Sequence, residues 1–313
     1  MSGSRSTSPA RRTVRSSSVS AILVDGVVYA SWIFLVSVGL TLVFGVLRIL
    51  NLAHGSLYAV GAYMGAWLVV RYFHAGMPLA LSFALLLAGA LIAGLVLGPL
   101  IERLLLRHTY GRDEVMQLLV TYALFLILGD LTKLVWGVDP YYAYAPYSML
   151  GNISVGTIPY PRYDLVLIGI AVIVGVALWL ITNRTRFGRL MTAVIRDREI
   201  STALGINVPL VCTAAFTIGA VLAALGGAFT APTISVVPGI DVTVIVLSFA
   251  VVVIGGLGSL EGAALGSLIV GIARAAAVHL FPDLDLVAIY LVMTIVLIFK
   301  PQGLFGRAEV KRL

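Results

Sequence analysis

The sequence has few charged residues and a single cysteine. Asp, Glu, Lys and Arg make up 11% of its 313 residues, whereas a water-soluble domain carries about 25%. Hydrophobic residues reach 60%, and the mean hydropathy is +1.05. So few charges cannot cover a water-facing surface, which excludes a soluble globular enzyme, a nucleic-acid-binding domain and a disordered protein.

Motifs for nucleotide, metal and covalent chemistry are missing as well. The sequence contains no Walker A motif, no H-E-x-x-H and no recognisable Ser/His/Asp arrangement, and its four His lie in separate segments. The lone Cys212 excludes an intrachain disulfide and a cysteine-rich metal site. We therefore expect no catalytic residue, no metal site and no cofactor in this chain, so that any ATP has to be bound by another chain.

Long apolar runs dominate what is present. A helix needs about 20 apolar residues to cross a bilayer, and nine such runs or near-runs follow one another. They lie at about 22–44, 56–73, 78–100, 115–137, 164–182, 209–231, 242–258, 262–281 and 284–300. The pattern predicts an all-α polytopic membrane protein with about eight transmembrane helices and a broken or re-entrant helix near 40–73.

The net charge of +7 reflects membrane topology. Basic residues lie in the tails and between the apolar runs, where the positive-inside bias places them, so no nucleic-acid partner is expected. The Arg-bearing connectors 101–114 and 183–198 should face the cytoplasm. Connector 138–163, which is rich in Tyr and Pro, and connector 232–241 should face outward.

Three parts of the chain follow from this pattern. Residues 1–18 predict a disordered, Arg- and Ser-rich cytoplasmic tail. Residues 19–303 predict the transmembrane domain, including the cytoplasmic loop 183–208, and residues 304–313 predict a short cytoplasmic tail.

Residues 22–73 do not fit two simple crossings, because these would place the basic connector 101–114 outside. We prefer one crossing near 19–38, followed by a re-entrant pair that enters from outside, breaks near Asn51–Ser56 and returns along 57–73. Both termini then lie inside. The alternative places the N-terminus outside, although the tail carries four Arg.

Polar residues interrupt the apolar stretch around this break. Polar groups at membrane depth survive where they face protein or a water-filled cavity, and a broken helix there provides partial charges for a zwitterionic solute. Gly55 is a plausible break point. The expected solute pathway is formed by Asn51, His54, Gly55, Ser56 and Tyr58. Alternatively, Asn51 and His54 only bond to a neighbouring helix.

A second glycine-rich segment lies at 255–266 and contains one charge, Glu261. It forms either a second broken element or, as we favour, a tight cytoplasmic turn with Glu261 in solvent. The loop 183–209 has helical spacing of apolar and charged residues, and the helix that this spacing predicts ends at Gly205. It predicts an amphipathic helix that lies at the membrane interface or docks in a partner's groove, or else a solvated connector.

Several stretches carry a resemblance to a known family. They are FGVLRILNLAHGSLYAVGAY, TRFGRLMTAVIRDREISTALGI, AAFTIGAVLAALGGAF, VVVIGGLGSLEGAALG and FKPQGLFGR. The sequence resembles the branched-chain amino-acid ABC transporter permeases of the LivH type, in the same order and spacing, through most of residues 22–307.

The resemblance implies one half of a heterodimeric pore that imports branched-chain or other hydrophobic amino acids across the inner membrane of a bacterium. Its partners would be a LivM-like permease, two LivF/LivG-like ATPases that bind ATP and Mg, an external solute-binding protein and the lipid bilayer. The chain itself would not be an enzyme. Relatives for urea, short amides and organic acids leave the solute open. A stand-alone channel or ion-coupled carrier is the rival class, for which Asp25 and Asp130 are the acidic candidates near spans.

Individual residues are carried over from the resemblance. Asn51, Ala53, His54 and Gly55 match the family's broken-helix block, and the loop matches its ATPase-coupling segment. Glu199, Ala203, Gly205 and Ile206 match that segment, and Arg196 and Asp197 beside them complete the expected coupling residues. Two positions depart from the family's pattern. Ser56 stands where a Glu is frequent, which removes a charge near the pathway, and Glu261 stands where a Pro is frequent.

Overall fold

The computed structural model describes residues 9–76, 78–155 and 158–306. The predictions for residues 1–8 and 307–313 lie outside the described residues. Helix α1 already begins at Pro9, within the segment for which the sequence predicts disorder.

The described residues form α-helices with one small hairpin. The helices are α1 (Pro9–Leu47), α2 (His54–His74), α3 (Ser82–Leu104), α4 (Glu114–Trp136), α5 (Ala145–Met149), α6 (Arg162–Arg184), α7 (Arg186–Arg196), α8 (Arg198–Ala203), α9 (Val208–Thr230), α10 (Ile240–Gly255), α11 (Leu260–Leu280) and α12 (Asp285–Phe299). Strands β1 (Asn152–Val155) and β2 (Ile158–Pro161) pair antiparallel, with Asn152 opposite Pro161.

Six helices are long and apolar enough to cross a membrane. They are Val19–Leu47 within α1, Ser82–Thr109, Glu114–Trp136, Arg162–Arg184, Val208–Thr230 and Leu260–Leu280, while Ile240–Gly255 and Val287–Phe299 are shorter apolar helices. The all-α polytopic class is therefore confirmed, and the number of about eight crossings stays a prediction.

Helix α9 lies at the centre of the bundle, packed against α1, α2 and α3. Small residues allow this close approach: a Cβ at Gly39 would lie 2.9 Å from the Gly219 carbonyl oxygen, and a Cβ at Gly98 would lie 2.8 Å from the Thr217 Cα. Gly61 likewise has no room for a Cβ against Ala224. The backbones can therefore pack closely where lipid supplies no hydrophobic driving force.

Glycine contacts also fix the helix directions. Gly26 on α1 lies against Ile272 on α11, and Gly45 lies against Gly258, so the two helices are antiparallel. α1 therefore runs between two distinct ends of the bundle. We call the end that carries the Arg-bearing connectors 105–113 and 183–207 the basic end. The opposite end, near the Tyr-rich segment 138–161, is the aromatic end.

The path of α1 corrects the predicted topology of residues 22–73. α1 continues without interruption to Leu47, at the basic end, where the carbonyls of Val46 and Leu47 accept hydrogen bonds from Arg198. Its other end lies with His279 at the aromatic end, through Asp25. The start of α1 and the basic connectors thus lie at opposite ends of the bundle, whereas the prediction that both are cytoplasmic needs them at the same end.

The glycine-rich segment 255–266 is a tight turn, as favoured from the sequence. α10 ends at Gly255, and the Ser259 hydroxyl caps α11 by accepting a hydrogen bond from the Gly262 N–H at 3.0 Å. Glu261 is exposed in the first turn of α11. Beyond α12, the Phe305 N–H donates to the Gly255 carbonyl at 2.9 Å, which attaches the end of the described chain to this turn.

Candidate functional site

The chain is broken between α1 and α2, as predicted, but the break comes earlier than Gly55. Residues 48–53 are not helical, and Arg48 has φ +59°, the one positive φ at a non-glycine among the described residues. The Thr121 hydroxyl on α4 donates to the Leu50 carbonyl at 3.1 Å. Such bonds satisfy backbone groups that the helix no longer pairs.

Helix α2 begins in the middle of the bundle. His54, its first residue, places Nε2 3.0 Å from the Val36 carbonyl oxygen, about halfway along the apolar part of α1. From there α2 runs parallel to α9, because Gly61 lies against Ala224 and Gly65 against Ala228. It therefore leads from the middle of the bundle to the aromatic end.

A second broken element precedes α10, where the sequence predicted an outward-facing connector at 232–241. Val236 forms an antiparallel bridge with Tyr141 at the aromatic end, and Gly239 then takes φ +90°. α10 starts directly afterwards, beside the first turn of α2. Gly55 lies against the Asp241 carbonyl oxygen, which would be 2.5 Å from a Cβ at that position.

The N-termini of α2, which has 21 residues, and α10, which has 16, therefore meet inside the bundle. α2 leads from this point to the aromatic end and α10 leads to the basic end. Gly55 is not the break point that the sequence suggested; it is the residue whose missing side chain lets α10 approach α2. The Pro238-Gly239 pair after Thr and Ser was the available sequence signal for the second break.

A carboxylate that sequence reasoning missed lies at this meeting point. Asp241 is 6% exposed, and its Oδ2 lies 3.5 Å from the Ser56 hydroxyl oxygen. The Ser56 hydroxyl also donates to the Phe125 carbonyl at 3.3 Å. An acidic side chain thus lies beside Ser56, on a residue for which the sequence predicts an outward-facing connector.

The other predicted pathway residues, Asn51, His54 and Tyr58, are buried, but they do not all lie at the junction of α2 and α10. Asn51 is fully buried, and neither side-chain polar atom has a hydrogen-bond partner among the described residues. Tyr58 is also fully buried, and its ring centroid lies 6.3 Å from that of Trp32. His54 bonds to the Val36 carbonyl on α1. Of the five predicted pathway residues, Gly55 and Ser56 are the two that contact Asp241.

The predicted coupling loop forms two short helices instead of one. Asp197 separates them, and its Oδ1 accepts a hydrogen bond from the Ile200 N–H at 2.9 Å as the N-cap of α8. Gly205, with φ +80°, follows the end of α8, and the Ile206 N–H donates to the Ser201 carbonyl at 3.0 Å. Gly205 thus terminates the helix as predicted.

Much of the surface of α8 is exposed at the basic end. Arg196, Glu199, Ala203 and Gly205 are exposed, and Ile206 is half-buried. Ile200 and Leu204, one helical turn apart, are 59% and 75% exposed. An exposed apolar pair beside charged residues is suited to contact with another protein.

Arg198, which is not among the predicted coupling residues, connects α8 to the break. One Nη2 donates to the Val46 carbonyl at 2.8 Å and to the Leu47 carbonyl at 2.9 Å. These are orphan carbonyls at the negative end of the α1 dipole. The guanidinium also lies 5.5 Å from the centroid of the Tyr110 ring.

Tyr110 extends this connection to α3 and α9. Its hydroxyl donates to Glu102 at 2.8 Å, and burial raises the pKa of Tyr110 above its ordinary value. Glu102 is fully buried and also accepts hydrogen bonds from Thr213 at 2.6 Å and Arg107 at 3.2 Å. A buried carboxylate with three donors is satisfied, so this cluster is a firm link between α8, α1, α3 and α9.

In α2 and α10, two helices interrupted inside the bundle meet N-terminus to N-terminus, with polar groups at their junction. This arrangement is typical of membrane transport proteins with discontinuous helices. The comparisons agree. The chain belongs to the family described as "Branched-chain amino acid transport system / permease component", whose profile matches residues 22–297. This family consists of transport permeases and not of enzymes.

Named relatives cover nearly the whole chain. The high-affinity branched-chain amino acid transport system permease protein BraD of Pseudomonas aeruginosa is 30% identical over 93% of this chain and 97% of its own length. LivH of Escherichia coli is 26% identical over 92% and 96%. A chain of PsaBC from Streptococcus pneumoniae in complex with Fab aligns over 90% of this chain and 92% of its own, with 12% identity and a TM-score of 0.47.

Proposed function

We propose that this chain is a permease subunit of an ABC importer that moves branched-chain or other hydrophobic amino acids across the cytoplasmic membrane of a bacterium. The observation that carries the proposal is the meeting of the α2 and α10 N-termini beside Ser56 and Asp241. The named relatives, which are branched-chain amino acid permeases, support the solute class.

The chemistry of this junction suits a zwitterion. Helix N-termini carry unpaired N–H groups and a partial positive charge, which favour the carboxylate of an amino acid. Asp241 favours its ammonium group, and the apolar surroundings favour an aliphatic side chain. Asn51, His54, Gly55, Ser56 and Tyr58 remain the proposed lining of the pathway, with Asn51 contributing buried polar atoms that lack a partner.

The partners follow from what the chain lacks and what its basic end presents. The sequence contains no nucleotide-binding motif, so ATP and Mg would bind to two LivF/LivG-like ATPases. Exposed Ile200 and Leu204 on α8 support contact with such a subunit through the coupling residues Arg196 to Ile206. A LivM-like permease would complete the pore, and an extracytoplasmic binding protein would deliver the solute at the aromatic end.

The experiment is ATP-driven uptake of radiolabelled leucine by the assembly reconstituted in proteoliposomes. Glu199→Arg and Gly205→Pro should leave ATP hydrolysis measurable but separate it from uptake, because they alter the charge and the termination of α8. Glu261→Arg, which reverses another exposed acid at the basic end, is the matched control. Normal uptake per ATP in both α8 variants would contradict this role for the loop.

A stand-alone ion-coupled carrier is the second candidate, and the burial of Asp241 is the observation in its favour, since intramembrane acids mark ion pathways. It predicts uptake by the purified chain alone, without an ATPase. It also leaves room for other small solutes, such as urea, a short amide or an organic acid. Leucine uptake that strictly requires ATP and the ATPase subunits excludes it.

A further inference from the structure

We propose that Asp241 is the residue that recognises the ammonium group of the transported solute, and so determines specificity against acids and uncharged amides. The inference deepens the proposed function and rests on it. Its basis is a buried carboxylate placed at the junction of two helix N-termini, with no direct ion pair in the part of the chain that the structure describes; Lys133 acts on it only at longer range.

The burial and the charge environment of Asp241 are the first argument. The side chain is 6% exposed, and none of the ion pairs of the described residues includes it. Lys133, one turn beyond Gly129 on α4, is paired with Asp130 at 3.0 Å. A buried charge without a counter-ion is costly, and a solute cation would provide the missing partner.

The immediate neighbours of the carboxylate are the second argument. Its described side-chain contact is the Ser56 hydroxyl at 3.5 Å, which is at the limit of a hydrogen bond and already donates to Phe125. On α4, a Cβ at Gly129 would lie 3.5 Å from Oδ2. The side chains beside the carboxylate are therefore a small hydroxyl and a glycine, and its other donors are the backbone N–H groups of Asp241 and Val242 in the first turn of α10.

The contrast with Glu102 separates a structural acid from a binding one. Glu102 accepts from Tyr110, Thr213 and Arg107, which use its oxygens fully. The donors to Asp241 are Ser56 and backbone N–H groups of its own helix turn, and no Arg or Lys pairs with it directly among the described residues. The helix N-termini beside it attract a carboxylate, so an α-amino acid would satisfy both halves of the junction, whereas an organic acid would leave Asp241 unpaired.

The test is equilibrium binding of tritiated leucine to the complete, nucleotide-free assembly in nanodiscs, without binding protein. The competitors are isopentylamine, which lacks the carboxylate, and 4-methyl-2-oxopentanoate, which lacks the ammonium group. The variants are Asp241→Asn, Asp241→Glu and, as control, Asp130→Asn, which removes an exposed acid on α4. Thermal unfolding is followed for each variant.

The wild type should be competed by the amine and not by the oxo acid. Asp241→Asn should weaken leucine binding at least about tenfold and abolish the preference for the amine, while Asp241→Glu retains it and Asp130→Asn matches the wild type. Unchanged affinity in Asp241→Asn overturns the inference. So does equal loss in Asp241→Asn and Asp241→Glu with a lowered Tm.

Three results separate this inference from the proposed function and from the ion-coupled alternative. In the first, the wild-type assembly imports leucine while the oxo acid competes for leucine binding as well as the amine does. That result overturns the ammonium site but not the proposed function, even where no Asp241 variant folds. An assembly that transports no amino acid, but binds isopentylamine in a manner that depends on Asp241, overturns the proposed solute and supports the site. Uptake that loses a Na⁺ or proton dependence in Asp241→Asn at unchanged leucine affinity overturns the site in favour of ion coupling.

Discussion

At the scale of single residues, glycines determine how closely the broken helices pack against their neighbours. Gly55 and Gly227 are both positions where a Cβ would meet backbone atoms of a neighbouring helix segment, Asp241 in one case and Tyr58 in the other. These contacts bring the broken helices close to α9 and to each other. The polar groups of the junction are thereby held inside the bundle.

Gly55→Ala should lower the thermal unfolding midpoint and leucine uptake, because the new Cβ lies 2.5 Å from the Asp241 carbonyl and 2.8 Å from the Ile245 Cβ. Overpacking of this kind costs about 1–3 kcal/mol. The matched control is Gly169→Ala on α6, where no atom lies within 4 Å and Ala favours the helix by roughly 0.5–1 kcal/mol. A fluorescence melting curve in detergent measures both, and equal midpoints for the two variants would contradict the argument.

Sequence reasoning located Asn51 to Ser56 because polar residues in an apolar run are visible locally. It could not find Asp241, because an Asp that follows Pro238-Gly239 has the same local pattern as an outer connector. Only the return of the chain from Val236 into the bundle makes this Asp a buried one. The role of Arg198 was hidden for a similar reason, since its acceptors at Val46 and Leu47 lie about 150 positions away in the chain.

At the scale of elements, α8 is joined to the break through the end of α1. Arg198 caps the last carbonyls of α1 and stacks on Tyr110, so a displacement of α8 pulls on the residues that directly precede segment 48–53. The helices themselves follow from continuous apolar runs and were predictable. Their directions were not, because hydropathy is the same read from either end of a helix.

Arg198→Ala should reduce leucine uptake per ATP hydrolysed, by about tenfold or more, while the assembly still hydrolyses ATP. The loss of two charge-assisted hydrogen bonds, each worth about 1.5–3 kcal/mol, frees α8 from α1. The uptake per ATP of Arg198→Lys should lie between the values of the wild type and Arg198→Ala. The reason is that an ammonium group carries the charge but does not reproduce the planar fork of the guanidinium and its stacking. Arg189→Ala, an exposed Arg on α7, is the control, and the ratio of uptake to phosphate release is the measurement.

At the scale of the whole molecule, the two ends of the bundle differ in chemistry. Cations concentrate at the basic end, on Arg103, Arg107, Arg112 and on both sides of α7. The aromatic end carries the Tyr-rich segment and the Asp25–His279 pair at 2.6 Å. If the basic end faces the cytoplasm, as the positive-inside bias requires, α1 begins outside the cytoplasm. Arg11, Arg12 and Arg15, which lie in the first turns of α1, then oppose this bias.

Thiol labelling tests this orientation, and the protein offers a clean background because its one native thiol, Cys212, is fully buried. A membrane-impermeant maleimide added to intact spheroplasts should label Val19→Cys and Ser148→Cys, which are exposed at the aromatic end. Thr202→Cys, exposed on α8, should react only after lysis. If Val19→Cys and Thr202→Cys both react only after lysis, the two residues lie on the same side of the membrane. That result would restore the topology with both termini inside and contradict the uninterrupted passage of α1 from one end of the bundle to the other.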